Sequence, residues 1–247
     1  MWWLVFLISL FVGSFLNVCI YRIPRGESVV FPPSACPGCG RRLRPCELIP
    51  LLSFFLQSAR CRGCGSAVSW RYPGVEFLTA LVFTGLFLRF GWPDFLFQAV
   101  FYAVLLVIFF IDLEHQIIPN RLVLALLIYT LLLRFTEPTI PWPTALWGGL
   151  LGGGLFLLLA VVSKGGMGGG DIKLVSVLGL WFGWGHLLLL LFLAFLAGGL
   201  LGGLLLALGL KKRKDGIPFG PFLVLAAFVV TVWGESILGW YLRLSGI

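Results

Sequence analysis

The sequence predicts an all-α polytopic membrane protein, with about eight transmembrane helices and a small zinc-ribbon-like cytoplasmic subdomain. Three observations carry that expectation. Of 247 residues, 60% are hydrophobic and only 11% charged, with a mean hydropathy of +1.03; a water-soluble fold of this length cannot cover so much apolar side chain. Apolar runs of spanning length recur along the chain. The one sizeable hydrophilic segment, residues 21–73, carries two C-x-x-C pairs.

Runs of about 17 to 25 apolar residues read as spans, and they fall near 2–20, 74–90, 95–112, 121–135, 143–162, 172–190, 187–210 and 217–242. The sixth and seventh share an indistinct border, because Trp181 to His186 punctuates a nearly continuous apolar stretch with glycine and aromatics instead of charge. The first span lacks a charged leading region and a small-residue cleavage site, so it reads as a retained helix. The chain then divides into a first transmembrane helix (1–20), a cytoplasmic four-cysteine subdomain (21–73) and a multi-helix membrane domain (74–247). Glycines four residues apart, Gly148/Gly152, Gly149/Gly153, Gly198/Gly202 and Gly199/Gly203, are expected to let membrane helices approach closely.

Basic residues set the orientation, because Lys and Arg near span ends stay on the cytoplasmic side. With the loop after the first span inside, alternation places 15 of the 18 Lys and Arg inside, and only Arg89, Arg134 and Arg243 outside. Both termini are then extracytoplasmic. The net charge of +8 follows from orientation and contact with lipid headgroups; no stacking platform or basic fold motif points to nucleic acid.

In the hydrophilic segment, Cys36-Pro37-Gly38-Cys39 and Cys61-Arg62-Gly63-Cys64 are separated by 21 residues. That is close to the spacing of a four-thiolate zinc ribbon, in which tetrahedral Zn(II) replaces the core that so short a segment cannot build. The competing reading, disulfides or a redox pair, conflicts with the cytoplasmic placement. Cys36, Cys39, Cys61 and Cys64 are therefore the expected ligands of a structural zinc, while Cys19 reads as a packed span residue and Cys46 as an incidental thiol.

Asp112 and Asp171 are the expected catalytic residues. Carboxylates on otherwise apolar spans are expensive and mark functional sites. Asp112 ends the apolar run Phe101 to Ile111, and Asp171 follows Gly168-Gly169-Gly170. Two carboxylates that meet can share one proton, so that one deprotonates a water while its partner donates to a scissile carbonyl. Residues 59 apart do this only if the third and sixth spans pack together. Gly168, Gly169 and Gly170 suit a substrate-binding strip, since they permit backbone conformations and approaches that a Cβ prevents. Pro119-Asn120 reads as a turn and helix start, Lys173 as a span anchor or a neighbour that tunes a carboxylate. Glu114 and His115 read as solvated loop residues, and Glu76 as a partner of Arg71 or the lining of a polar entrance.

Gly13-Ser14-Phe15-Leu16-Asn17, Arg22-Ile23-Pro24, the four cysteines, Glu47-Leu48-Ile49-Pro50, Arg71-Tyr72-Pro73 with Glu76, Ile111-Asp112 through Ile118-Pro119-Asn120, Gly166 to Lys173, and Pro218-Phe219-Gly220-Pro221 together resemble the bacterial type IV prepilin peptidases. The resemblance spans nearly the whole chain, with the motifs in order. It implies an integral aspartyl protease of the G-x-G-D type, with Asp112 and Asp171 as the catalytic pair. The implied substrates are prepilins and pseudopilins of pilus or type II secretion systems, cut at the cytoplasmic membrane face between Gly and a following residue, commonly Phe. Members with such a cysteine-bearing loop are often bifunctional, methylating the new N-terminal amine with S-adenosylmethionine. No Gly-rich nucleotide-binding turn stands in this sequence, so that second activity rests on the resemblance alone. Where the family usually reads Leu-Arg-Gly-Arg/Lys before the third cysteine, this chain has Gln57-Ser58-Ala59-Arg60, a departure that bears on methylation more than on proteolysis.

A rival function from another class is an ion-coupled transporter that binds protons at the two aspartates, with glycine-broken helices forming the site. Both carboxylates fall near one membrane face instead of the midplane, and no inverted repeat is apparent, which weighs against it.

Overall fold

The computed structural model describes residues 1–137, 140–163, 166–211 and 216–244. Among these residues the regular structure is helical, apart from two isolated bridges. The helices are α1 (Trp2–Arg22), the short α2 (Leu52–Leu56), α3 (Arg71–Phe90), α4 (Asp94–His115), α5 (Asn120–Thr136), α6 (Trp142–Val162), α7 (Gly169–Ala207) and α8 (Gly220–Leu244). Six of them, all but α2 and α5, are long and apolar enough to cross a membrane among the described residues. At 17 residues, α5 stands at the lower end of the roughly 17 to 25 residues that a span takes. Within α7 the sixth and seventh expected spans are two helices that meet at Gly183, where φ is 73° and ψ 169°, inside the Trp181 to His186 border. Lys164 and residues 212–214, which carry part of the orientation argument, lie outside the described residues.

The chain forms two units, Met1–Val107 and Ile108–Ile247. In the first, α1 packs along α3 because Gly13 has no side chain; a Cβ there would sit 2.7 Å from the Glu76 Cα. Asn17 ties the pair together by donating from Nδ2 to the Tyr72 carbonyl at 3.0 Å. At the other end of α3, Phe83 and Phe87 meet Phe95 edge to face.

The second unit is held by glycine contacts between α6 and α7. Gly148 and Gly179 meet backbone to backbone, so that a Cβ on either would strike the other's carbonyl oxygen. Gly149 and Gly153 face Leu180 and Ser176, and Gly152 faces Val175. The expected close packing is thus built by this first glycine group. Of the second, Gly198 and Gly202 make ordinary or slightly tight contacts with Phe222 and Ile217, and Gly199 and Gly203 face open space. Phe156, Phe195, Phe219 and Phe222 cluster where α6, α7 and the start of α8 meet, which fixes the turn into α8.

The break at Gly183 frees carbonyls that a continuous helix would satisfy. Arg134 takes them. It is 5% exposed, and its guanidinium donates to the Leu180 carbonyl from Nε at 3.1 Å and Nη2 at 2.8 Å, to Trp181 at 2.8 Å and to Ile140 at 2.9 Å. The sequence placed this arginine at an outer span end; its role as the cap of a broken helix comes from the fold.

Candidate active site

Asp112 lies in the last turn of α4 and Asp171 in the first turn of α7. Both belong to the second unit, and the two carboxylates are close enough for the charge of Asp112 to act on Asp171. The expected convergence of two distant carboxylates is therefore present. Asp112 is buried, and its Oδ2 accepts the Gly220 N–H at 2.9 Å. Asp171 Oδ1 is buried with no hydrogen-bond partner among the described residues.

Glycines make this geometry possible. A Cβ on Gly220 would lie 2.7 Å from Asp112 Oδ2, and one on Gly168 would lie 2.9 Å from Asp171 Oδ2. A Cβ on Gly170 would lie 2.7 Å from the Ile118 Cβ, whereas Gly169 faces open space. The triple glycine therefore serves close approach; none of the three has a positive φ. Pro119 precedes α5 in extended conformation and Asn120 opens it, as expected from the sequence. The Asn120 side chain accepts from Lys173 Nζ at 2.9 Å, which ties the start of α5 to the first turn of α7. Glu114 and His115 are partly exposed and lie 4.0 Å from each other. Gly220 is the site residue that reasoning from chemistry missed; its signal was the Pro218-Phe219-Gly220-Pro221 run, where a glycine stands between prolines at a helix start.

In the first unit, each C-x-x-C pair forms the same small knuckle. Ala35 bridges Arg42 and Arg60 bridges Ala67. The Cys36 and Cys61 carbonyls accept from Gly40 and Gly65 at 2.8 and 2.9 Å, and both glycines have φ near +70°, where a glycine is at ease. The four sulfur atoms of Cys36, Cys39, Cys61 and Cys64 all lie within 4.8 Å of one another. Cys36 Sγ and Cys64 Sγ are 3.9 Å apart, about the edge of a tetrahedron with Zn–S bonds of about 2.3 Å. The Ser66 hydroxyl, followed by backbone groups of Cys39 and Gly38, brings the Cys36 thiol down to about 6, and Ser66 lowers Cys64 as well. Cys39 goes the other way: against the Arg41 backbone, desolvation and the neighbouring sulfurs push its thiol up to about 11. The spacing and softness of the four sulfurs therefore make the case that these residues fit a divalent metal ion, whose binding displaces thiol protons. Cys19 is buried and Cys46 exposed, both free.

A cavity of about 550 Å³ opens in the first unit between α1, the knuckles and the start of α3. Neither aspartate lines it. Two buried carboxyls do, Glu47 and Glu76. Arg41 donates to Glu47 at 2.7 Å and, with the Arg44 N–H at 2.8 Å, holds that carboxyl below the usual carboxylate range. Glu76 accepts the Leu51 N–H at 2.8 Å and faces the Ser14 hydroxyl. Glu76 and Arg71 both line this cavity.

This is a multi-pass membrane protein with a pair of buried aspartates in its second unit and a four-cysteine knuckle pair in its first. Residues 7–90 match the family model described as the bacterial peptidase A24 N-terminal domain, and residues 99–203 match that of the type IV leader peptidase family. The chain is 34% identical to a prepilin leader peptidase/N-methyltransferase of Bacillus subtilis, over 98% of both chains. It is 37% identical to one of Aeromonas salmonicida and 35% identical to one of Pseudomonas aeruginosa, in each case over 97% of this chain and 93% of the relative. The chain belongs to the type IV leader peptidase family. No solved structure matches it. None of these comparisons supports the transporter reading.

Proposed function

We propose that this chain is an aspartyl endopeptidase that removes the leader peptides of type IV prepilins and pseudopilins and then methylates the new N-terminus with S-adenosylmethionine. The convergence of Asp112 and Asp171 beside Gly168 and Gly220 is the observation that carries the peptidase. One carboxylate of the pair takes a proton from a water, which attacks the scissile carbonyl; its protonated partner donates to the carbonyl oxygen. Collapse of the tetrahedral species breaks the C–N bond, and the leaving amine takes up a proton. Because coupled carboxylates titrate as a unit, base and acid are roles of the dyad. The Gly220 N–H fixes one oxygen of Asp112 and leaves the other for the water. The open space at Gly169 receives the substrate backbone, flanked by Gly168 and Gly170, with the substrate's apolar helix lying in the bilayer.

Cleavage takes place at the cytoplasmic face of the bacterial inner membrane, with both termini of this chain on the opposite side. The knuckle subdomain of residues 21–73 holds a structural Zn(II) through its four cysteines, and all ligand positions are filled, so the metal takes no part in hydrolysis. The methylating reading is supported by the names of the relatives and by the cavity beside the knuckles, whose volume falls in the range of about 300 to 1,000 Å³ typical of small-molecule sites. S-adenosylmethionine supplies an electrophilic methyl group; arginines and carboxylates of that cavity match its opposite charges.

The test is the intact mass of a prepilin incubated with the purified protein and S-adenosylmethionine. Loss of the leader plus one methyl group is the expected product. Loss of the leader alone would confine the chain to proteolysis, and an unchanged mass would overturn the reading.

A further inference from the structure

The cavity of the first unit contains an unmatched set of acceptors. Glu47 is committed to Arg41 and the Arg44 N–H. Glu76, 7% exposed, has no ion-pair partner among the described residues, and its one backbone donor, Leu51 N–H, comes from a leucine held at φ 59°. Leucine reaches that region only when its surroundings impose it, and the bond to Glu76 is one such constraint. Beside Glu76 on α1, Asn17 is 2% exposed. Its Nδ2 donates to the Gly13 and Tyr72 carbonyls, which sets the orientation of the amide and leaves Oδ1 buried without a partner. Both residues line the cavity.

A buried carboxylate held by the Leu51 N–H and the Ser14 hydroxyl but by no cation among the described residues, beside a buried amide oxygen without a donor, calls for a cation rich in N–H groups. Both stand on spanning helices, α1 and α3, instead of the knuckle loops. An amine that reaches them is therefore presented from a membrane-embedded segment more readily than from a freely soluble molecule. On the reading above, cleavage produces such a group, the N-terminal ammonium of an apolar helix. We propose that Glu76 and Asn17 form the acceptor site for this amine, and that Glu76 is the base that readies it for methylation. This rests on the methylating reading.

The step balances as follows. An α-ammonium, whose ordinary pKa is about 7.7 to 8.0, passes one proton to the Glu76 carboxylate and exposes its lone pair. Nitrogen then bonds the methyl carbon while the C–S bond of the sulfonium breaks, its electron pair staying on sulfur as a neutral thioether. Glu76 afterwards returns its proton to water. Asn17 Oδ1 accepts a second N–H and orients the lone pair.

Two measurements on protein in lipid nanodiscs test this, with Glu76→Gln beside the wild type. Glutamine keeps an oxygen for the Leu51 N–H but cannot take the proton. The first is equilibrium binding of a peptide with the mature pilin N-terminal sequence, with its amine free or acetylated. Wild-type protein should favour the free amine at least about tenfold, and Glu76→Gln should lose that preference while still binding labelled S-adenosylmethionine. The second is the fraction of cleaved pilin that carries a methyl group, which should fall about a hundredfold in Glu76→Gln, in line with loss of a general base. Equal binding of the two peptides by wild-type protein would overturn the proposal even if the variant failed to fold. So would a variant that keeps its amine preference, or one that loses S-adenosylmethionine binding instead. Wild-type protein that prefers the free amine yet transfers no methyl would overturn the methylating reading and leave the amine site in place.

Discussion

Ala59, the departure from the motif that the resemblance implies, stands in the left-handed backbone region that favours glycine. Its φ is 55°, that of Ser58 is 51°, and the Ala59 N–H closes the end of α2 by donating to the Phe54 carbonyl at 2.9 Å. The turn into the third cysteine is thus formed by a residue for which the left-handed conformation costs about 1 kcal/mol or more. Ala59→Gly is expected to raise the stability of the first unit by about 1 kcal/mol, read as a higher unfolding temperature in detergent. At this scale the sequence was most informative where chemistry is costly. Cysteines in pairs and carboxylates in apolar runs declare themselves, and the fold brings both sets together. Gly220 and Leu51 did not, because each acts through a backbone N–H whose direction no side-chain identity encodes.

Among the elements, hydrophobic run length located every long helix to within a few residues, since spanning a bilayer demands it. The break in α7 was legible only as a blurred border. A glycine in an apolar run is compatible with close packing, a bend or nothing at all, and Arg134 decides the matter from another helix. Its guanidinium satisfies the three carbonyls of Leu180, Trp181 and Ile140. Arg134→Met should leave them unsatisfied and destabilise the second unit by about 2 to 4 kcal/mol, measured as a loss of thermal stability in detergent relative to an exposed control such as Arg243→Met. Unchanged stability would mean that the broken helix does not depend on its cap. The same packing bears on the site, because the first half of α7 carries Asp171 at its start and Gly179 against Gly148 further along.

For the molecule as a whole, composition alone placed the chain in a membrane, and the four cysteines fall in the first unit while the two aspartates fall in the second. Family membership rests on nearly the full length of the chain. The sequence could announce both aspartates but not that they meet; that depends on α4, α7 and the start of α8 converging, a consequence of glycine contacts and a phenylalanine cluster that periodicity cannot foresee. The central claim is that this convergence is the peptidase. The most direct measurement is the rate of leader removal from a prepilin by Asp112→Asn and Asp171→Asn proteins, each folded as judged by its unfolding temperature. Each should fall about a thousandfold or more below wild type, as expected when a member of an acid/base pair is removed. Cleavage by both variants within about tenfold of wild type would contradict the account.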